Sequence, residues 1–362
     1  MIKSIYIHIP FCKNICSYCD FCKMYYNENW VDKYLDELES EILKSYKNEI
    51  IDTLYIGGGT PSCLSIKQLN KLFNILSKIK KSKNIEFTFE CNIEDITYEK
   101  MKLLFDNNVN RLSIGVQTFN KKHLSFLGRN YKNIDIIEKI SLAKSVGFKN
   151  INVDLIYAIS NQTIEELNED IDTLIKLDIT HISTYSLIIE PSTKLYITNT
   201  NNIDEELDYQ MYKLINKKLK KNGFINYEIS NYSKKGFESR HNLNYWNNNE
   251  YYGFGLGASG YVNDVRYDNT KNLNKYLTGN YIYNKHKVEQ KEKIENEFIL
   301  GFRKTKGINK EEFNLKYGNI KNIKQVNELL ENKQLIETKN NIYINPKYMY
   351  TQNSILVKFI DS

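Results

Sequence analysis

Six short apolar runs, each followed by a longer amphipathic stretch, organise the first half of the chain. The runs are SIYIHI (4–9), IDTLYIG (51–57), IEFTFE (85–90), RLSIGV (111–116), NINVDLIY (150–157) and HISTYSL (181–187). After the first run, NWVDKYLDELESEILKSY places Val31, Leu35, Leu38 and Ile42 on one helical face. Segments beginning SIKQLNKLF, TYEKMKLLF, NIDIIEKIS and TIEELNEDI keep the same period. Strands separated by helices of this length predict parallel βα units, because parallel neighbours need a long crossover. Six units suffice for a (β/α)6 barrel or most of one, with chemistry expected at the C-terminal ends of the strands.

Beyond about residue 200 the pattern changes. IDEELDYQMYKLINKKLKKNGF reads as a helix ending at Gly223. Residues 225–285 are rich in Tyr, Asn and Gly and show little regular periodicity. Three helix-like segments then precede LIETKNNIYIN, in which KNN reads as a hairpin turn. Helices followed by a hairpin suggest a small winged-helix-like appendage. The expected organisation is a barrel over 1–230, a Tyr/Asn/Gly-rich segment over 231–290 and a C-terminal helix-plus-hairpin unit over 291–362. Apolar residues at 41% and charged residues at 26% fit a soluble globular protein. The net charge of +6 comes without an Arg-rich stripe, which argues against nucleic acid as a partner. The N-terminus enters a strand pattern without a signal-peptide h-region, and no stretch reaches 18 uninterrupted apolar residues. The expected location is therefore cytoplasmic.

Four of the six cysteines lie in PFCKNICSYCDFCK: Cys12, Cys16, Cys19 and Cys22. In a reducing compartment such crowding suggests a metal site more than a disulfide framework. Cys12, Cys16 and Cys19 follow C-x3-C-x2-C at the end of the first strand. Three thiolates on one short loop suit three irons of a [4Fe–4S] cluster and leave the fourth iron open to a ligand. Two readings compete: a structural zinc site using all four thiols, and buried reduced thiols without metal. Cys63 and Cys91 are isolated and read as core fillers.

YIGGGTPS (55–62) follows the second strand. Its glycines allow positive φ and a close ligand approach, yet it matches neither the Walker pattern nor G-x-G-x-x-G. It suits a ligand-binding turn or simply a tight βα connection. Glu90, Gln117, Arg129 and Asp154 lie at or near strand ends. Buried charge there is costly unless paired or ligand-bound, although each residue taken alone reads more simply as a surface or capping group. His123, His181 and His286 stand alone and read as surface or core residues.

IYIHIPFCKNICSYCDF resembles the opening of the radical SAM enzymes, in the branch containing oxygen-independent coproporphyrinogen III oxidase. The resemblance runs through essentially the whole chain. It implies a [4Fe–4S] cluster on Cys12, Cys16 and Cys19, and S-adenosylmethionine on the open iron. In such proteins the reduced cluster passes an electron to the cofactor's sulfonium, yielding a 5′-deoxyadenosyl radical. The resemblance further implies that Tyr6 and Tyr18 lie near the cofactor and that Gly58, Gly59 and Thr60 bind its amino group. By the same carry-over Arg129 meets its carboxylate, Glu90, Gln117 and Asp154 meet the ribose and adenosyl portion, and Ser186 lies near the adenine. Two stretches depart from the pattern: ECNIED lacks a usual proline, and DLIYAISNQT lacks two glycines and a proline.

Within the branch, Phe21 stands where the oxidase has a further cysteine, and RHNLNYWNNNEYYGFGLGASGY contains H-N-x-x-Y-W. Both features are similar to the heme-chaperone subgroup. That implies heme as cargo, with His241, Asn242, Tyr245 and Trp246 as candidate heme contacts, since histidine ligates heme iron and aromatic rings stack on porphyrin. The plainer alternative is a turn that packs one Trp on the barrel. The implied partners are heme, a respiratory or other heme-accepting protein, and a flavodoxin or ferredoxin as electron donor, with transient membrane contact during delivery. The competing function is oxidative decarboxylation of coproporphyrinogen III to protoporphyrinogen IX. A radical SAM enzyme acting on RNA is a third reading, disfavoured by the lack of an appended RNA-binding module.

Overall fold

A computed structural model describes residues 2–360 of the chain. The six apolar runs form strands β1 (Ser4–Ile9), β2 (Ile51–Gly58), β3 (Lys81–Asn92), β4 (Arg111–Gln117), β5 (Asn150–Tyr157) and β6 (His181–Ser186). They pair in sequence order, each parallel to the next. Helices Glu28–Ser45, Ile66–Leu76, Tyr98–Asp106, Asn133–Val146, Ile164–Lys176 and Glu205–Lys221 follow the successive strands. Val31, Leu35, Leu38 and Ile42, the predicted apolar face, are at most 1% exposed. Asn27 caps the first helix by accepting from the Trp30 N–H. Capping boxes Ser65/Gln68 and Thr163/Glu166 start two others. β4 is buried along all its length, as expected of a strand covered on both faces. The architecture is the partial βα barrel that the alternation predicts.

Residues 225–285 complete this sheet at both edges. Tyr252–Phe254 pairs parallel with β1, and Asn231–Ser233 pairs antiparallel with β6, followed outward by Ile225–Asn226. Among the described residues the sheet therefore has nine strands. Ser259–Val262, Val265–Asn269 and Ile282–Lys287 form a separate antiparallel sheet. These strands run only two to six residues. They are joined through Asn, Asp and Gly at positive φ, including Asn248, Gly255, Gly257, Asn263 and Asp264. Strands that short do not display a period in sequence, which is why the segment looked irregular.

The helix Arg240–Trp246 lies between two of these strands and closes the N-terminal end of the barrel. Its first turn is held by the buried Glu86 carboxylate of β3, which accepts from the Arg240 and His241 N–H groups, both at 2.9 Å. The C-terminal part contains helices Gln290–Gly301, Lys310–Tyr317 and Lys324–Glu331 with a three-stranded sheet of Ile308–Asn309, Leu335–Glu337 and Asn341–Ile344. The predicted hairpin is the last two of these strands. A core built on Phe298, Phe302, Phe313 and Phe359 fills this part, separate from the barrel core that runs from Ile2 to Tyr281.

Candidate functional site

The loop after β1 carries the cysteines over the C-terminal mouth of the barrel. A two-residue parallel pairing of Phe11–Cys12 with Met24–Tyr25 closes the loop on itself. His8 fastens its far end: its Nε2–H donates to the Cys22 carbonyl at 2.7 Å. Its Nδ1 then accepts from the Tyr6 hydroxyl at 2.9 Å. Burial lowers the His8 pKa to about 4, so the ring stays neutral in this role. All six cysteines are free thiols.

A cavity of about 450 Å³ opens beneath the loop. Cys12, Cys16, Cys19 and Tyr18 line it, together with Gly58, Gly59, Thr60, Glu90, Gln117, Arg129, Asp154 and Ser186. Of the residues singled out for the cofactor, Tyr6 alone lies outside the lining. It packs against Tyr55, with ring centroids 6.0 Å apart. Asn242 reaches the lining, whereas His241, Tyr245 and Trp246 do not.

The glycine loop and the cysteine loop fit against each other. A Cβ on Gly59 would lie 2.8 Å from the Pro10 carbonyl and 3.0 Å from the Cys12 sulfur. Gly58 has φ +117, and a Cβ there would strike the His8 ring at 2.7 Å. The Thr60 hydroxyl donates to the Cys12 sulfur at 3.3 Å and accepts from Asn92 at 3.2 Å. Asn92 in turn accepts from Arg129 Nη1 at 2.8 Å, and Arg129 Nη2 donates to the Tyr18 hydroxyl at 3.3 Å. Arg129 is 8% exposed, and its Nε has no partner. A buried guanidinium in the cavity lining, with one donor left unpaired, is a place for an anionic ligand group.

Glu90 stands at the end of β3. It accepts from the Tyr55 hydroxyl at 2.7 Å and the Gly58 N–H at 3.0 Å. Burial nevertheless pushes its pKa up to about 7, against the opposing effect of the Tyr55 hydrogen bond. Asp154 is also raised by burial, and Asn152 donates to it at 2.8 Å. Ser186 donates to Asp208. Gln117 has φ +76 at the end of β4, where its register with β5 shifts. A non-glycine residue held there is strained backbone at a site edge.

Sequence reading missed Arg111. It is 2% exposed, lines the cavity, and its Nε also has no partner. As the first residue of β4 it is the strand partner of Thr88, and its charge acts on Glu90 and Asp154, lowering the pKa of each. The only signal in the sequence was a charged residue opening a predicted strand, which fits a solvent-facing flank equally well. His181, expected as a surface or core residue, lies in the core, hydrogen-bonded to Asn152 at 2.6 Å and Tyr227 at 2.8 Å. His123 pairs with Glu166, and His286 with Glu292.

His241 is 1% exposed with both ring nitrogens occupied. The Thr53 hydroxyl donates to Ser4 at 2.8 Å and therefore accepts from His241 Nδ1–H, also at 2.8 Å. His241 Nε2 accepts from the Tyr245 hydroxyl at 2.8 Å. Burial lowers the His241 pKa to about 3, so it is neutral. As placed, the ring offers no free nitrogen to an iron. Trp246 lies beside the buried Glu228 carboxylate.

The donor set suits an iron–sulfur cluster: three thiols on one loop at the mouth of a cavity, with glycines that leave the sulfur of Cys12 room. Among the described residues, no three His, Cys, Asp or Glu side chains converge closely enough to hold a single metal ion. No helix among the described residues is long and apolar enough to cross a membrane.

Residues 6–174 match the Radical SAM superfamily. The chain is 40% identical to the heme chaperone HemW of Bacillus subtilis over 331 residues, covering 88% of this chain and 87% of that one. It is 38% identical to the heme chaperone HemW of Lactococcus lactis, covering 99% and 97%. Among solved structures, coproporphyrinogen III oxidase (HemN) from Escherichia coli superimposes with a TM-score of 0.88 at 20% identity, over 99% of this chain and 90% of that one, a likeness of fold. The chain belongs to the radical SAM superfamily, in the HemN-like branch, and within it to the HemW family.

Proposed function

We propose that the protein is a heme chaperone that binds a [4Fe–4S] cluster, S-adenosylmethionine and heme, and passes heme to an acceptor protein. The observation that carries this reading is the similarity to HemW relatives over nearly the whole chain, joined to a cavity lined by the cysteine, glycine and polar residues that the resemblance assigns to the cofactors.

Cys12, Cys16 and Cys19 hold three irons of the cluster in this reading, and the bound pair supplies one-electron chemistry at the cofactor's sulfonium. Gly58, Gly59 and Thr60 receive the amino group, and the Arg129 guanidinium in the lining receives the carboxylate. Glu90, Gln117 and Asp154 accept from the ribose, and Ser186 lies toward the adenine. The loops enclosing the cavity keep water from these groups. Heme meets the apolar rim of the same cavity: Phe21 and Ile188 line its mouth and are 65% and 66% exposed. Two large exposed apolar groups flanking one opening suit the face of a macrocycle. The acceptor is a respiratory or other heme protein, reached in the cytoplasm or at the membrane surface, and a flavodoxin or ferredoxin reduces the cluster.

Anaerobic reconstitution with iron and sulfide, followed by EPR with and without S-adenosylmethionine, tests the cofactor part. A reduced-cluster signal that changes on adding the cofactor is expected. Heme titration then tests the cargo, with a Soret band at about one heme per chain expected. Release of CO2 from coproporphyrinogen III would instead identify an oxidase.

A further inference from the structure

The H-N-x-x-Y-W motif has a place in the fold that heme ligation does not explain. Its helix, Arg240–Trp246, plugs the end of the barrel opposite the cysteine loop. Glu86 of β3, Thr53 of β2 and, through Thr53, Ser4 of β1 grip its first turn. The plug reaches the cofactor cavity in two ways. Asn242 forms part of the lining. His241 lies against the Tyr55 ring, with centroids 5.0 Å apart and planes inclined by 31°.

Tyr55 links this floor to the site. Its hydroxyl donates to Glu90 Oε1 at 2.7 Å, and Glu90 Oε2 accepts from the Gly58 N–H at 3.0 Å. One carboxylate therefore joins the aromatic floor to the glycine loop that packs against Cys12. Tyr55 also meets Tyr6, its strand partner, with centroids 6.0 Å apart. The Tyr55 ring thus has both Tyr6 and His241 as ring neighbours, and these contacts bear on where its hydroxyl points. His241 is itself fixed by Thr53 and Tyr245, so its ring cannot turn away without breaking a hydrogen bond.

We infer that the H-N-x-x-Y-W helix is the floor of the cofactor cavity, and that His241 is a positioning residue which orients Glu90 through Tyr55 and does not ligate heme. The inference rests on reading the cavity as the S-adenosylmethionine site. An axial ligand has to present a free nitrogen to the heme iron. Both nitrogens of His241 are engaged inside the protein, and the apolar rim lies at the opposite end.

The test compares cluster-loaded parent protein with His241→Ala, His241→Phe and Tyr55→Phe, using S-adenosylmethionine affinity and the heme Soret band as separate readouts. His241→Ala removes the ring that supports Tyr55. His241→Phe keeps a ring there but has no nitrogen for iron. The expected result is that His241→Ala and Tyr55→Phe each weaken S-adenosylmethionine binding by about tenfold, the scale of one hydrogen bond lost. Their combination should be no worse than either alone, because both break the same link. His241→Phe should recover affinity to within about threefold of the parent and keep the Soret band. Loss of the Soret band in His241→Phe, with S-adenosylmethionine affinity intact, would overturn the inference in favour of heme ligation. Unchanged cofactor affinity in His241→Ala, or additive losses in the double variant, would overturn it too. A parent protein that takes up no S-adenosylmethionine would instead sink the proposed function, so the two failures are distinguishable.

Discussion

Glu90 holds its proton more tightly in the folded chain than in water, because burial outweighs the hydrogen bonds it accepts. Its folded pKa of about 7 stands above the ordinary value of 4.5. Between those values the native state binds more protons than the unfolded chain, so stability falls as pH rises. The contribution is fully present below pH 4.5 and is lost as pH passes through about 7. Glu90→Gln should therefore lower the loss of thermal stability between pH 5 and 7, measured by calorimetry on cofactor-free protein. Glu228, at about 7, and Asp170, at about 6, are also raised by burial and titrate in the same range. The informative quantity is thus the difference between variant and parent. A variant whose pH profile parallels the parent's would remove Glu90 from this role. The same substitution should weaken S-adenosylmethionine binding without reducing iron content, since Glu90 touches the glycine loop and not the cysteines.

The cysteine and glycine loops act as one unit. Gly59 donates its N–H to the Ile9 carbonyl at 2.9 Å and lies against Pro10 and Cys12. A methyl group there meets backbone, which cannot swing aside as a flexible side chain would. Gly59→Ala should cost about 1–3 kcal/mol through overpacking and displace the Cys12 sulfur. Iron content after reconstitution should drop while far-UV circular dichroism stays the same. Gly223→Ala is the control: φ is +80 there but nothing lies within 4 Å of the added carbon, so iron content should match the parent. Equal iron in both variants would mean that the loop fit does not matter to the cluster. At this scale the sequence was informative where spacing itself expresses the contact. C-x3-C-x2-C and the triple glycine lie at the C-terminal ends of two neighbouring strands, and their partnership follows from β1 pairing with β2. It was uninformative where the contact joins distant segments. Nothing in the spacing of Thr53, Tyr55, Glu86 and His241 reveals that they meet, because Glu86 and His241 are 155 residues apart. Arg111 was passed over for a related reason: as the first residue of its strand it resembles a solvent-facing flank, and only closure of the barrel turns that position inward. Residues 225–285 hid their strands because edge strands two to six residues long carry no readable period.

Across the whole molecule the two apolar cores and the cavity rim assign separate tasks to separate regions. The rim offers a direct check on the cargo. Phe21→Ser and Ile188→Ser remove exposed apolar groups from two loops on the cavity mouth. Burying such a side chain contributes about 1.5–3 kcal/mol, so each variant should bind heme at least about tenfold more weakly. Iron content and S-adenosylmethionine affinity should hold, and an unaltered heme titration would move the heme site away from the rim. The C-terminal core is the other test of organisation. Phe298 stacks on Phe359 with ring centroids 4.4 Å apart and also meets Phe302 and Phe313, all within that core. Backbone hydrogen bonds join this part to the barrel, from the Ile229 N–H to the Arg303 carbonyl at 3.0 Å and from the Thr305 N–H to the Tyr227 carbonyl at 3.1 Å. Phe298→Ala should remove about 3–5 kcal/mol from the smaller core by leaving a cavity among its aromatic rings. If the C-terminal part is a domain in its own right, calorimetry should show a low-temperature transition split from that of the barrel. Limited proteolysis should then cut after about residue 290, while cluster content and cofactor affinity stay at parental values. A single transition lowered as a whole, with cofactor affinity falling alongside it, would instead mean that the backbone links weld both cores into one cooperative unit.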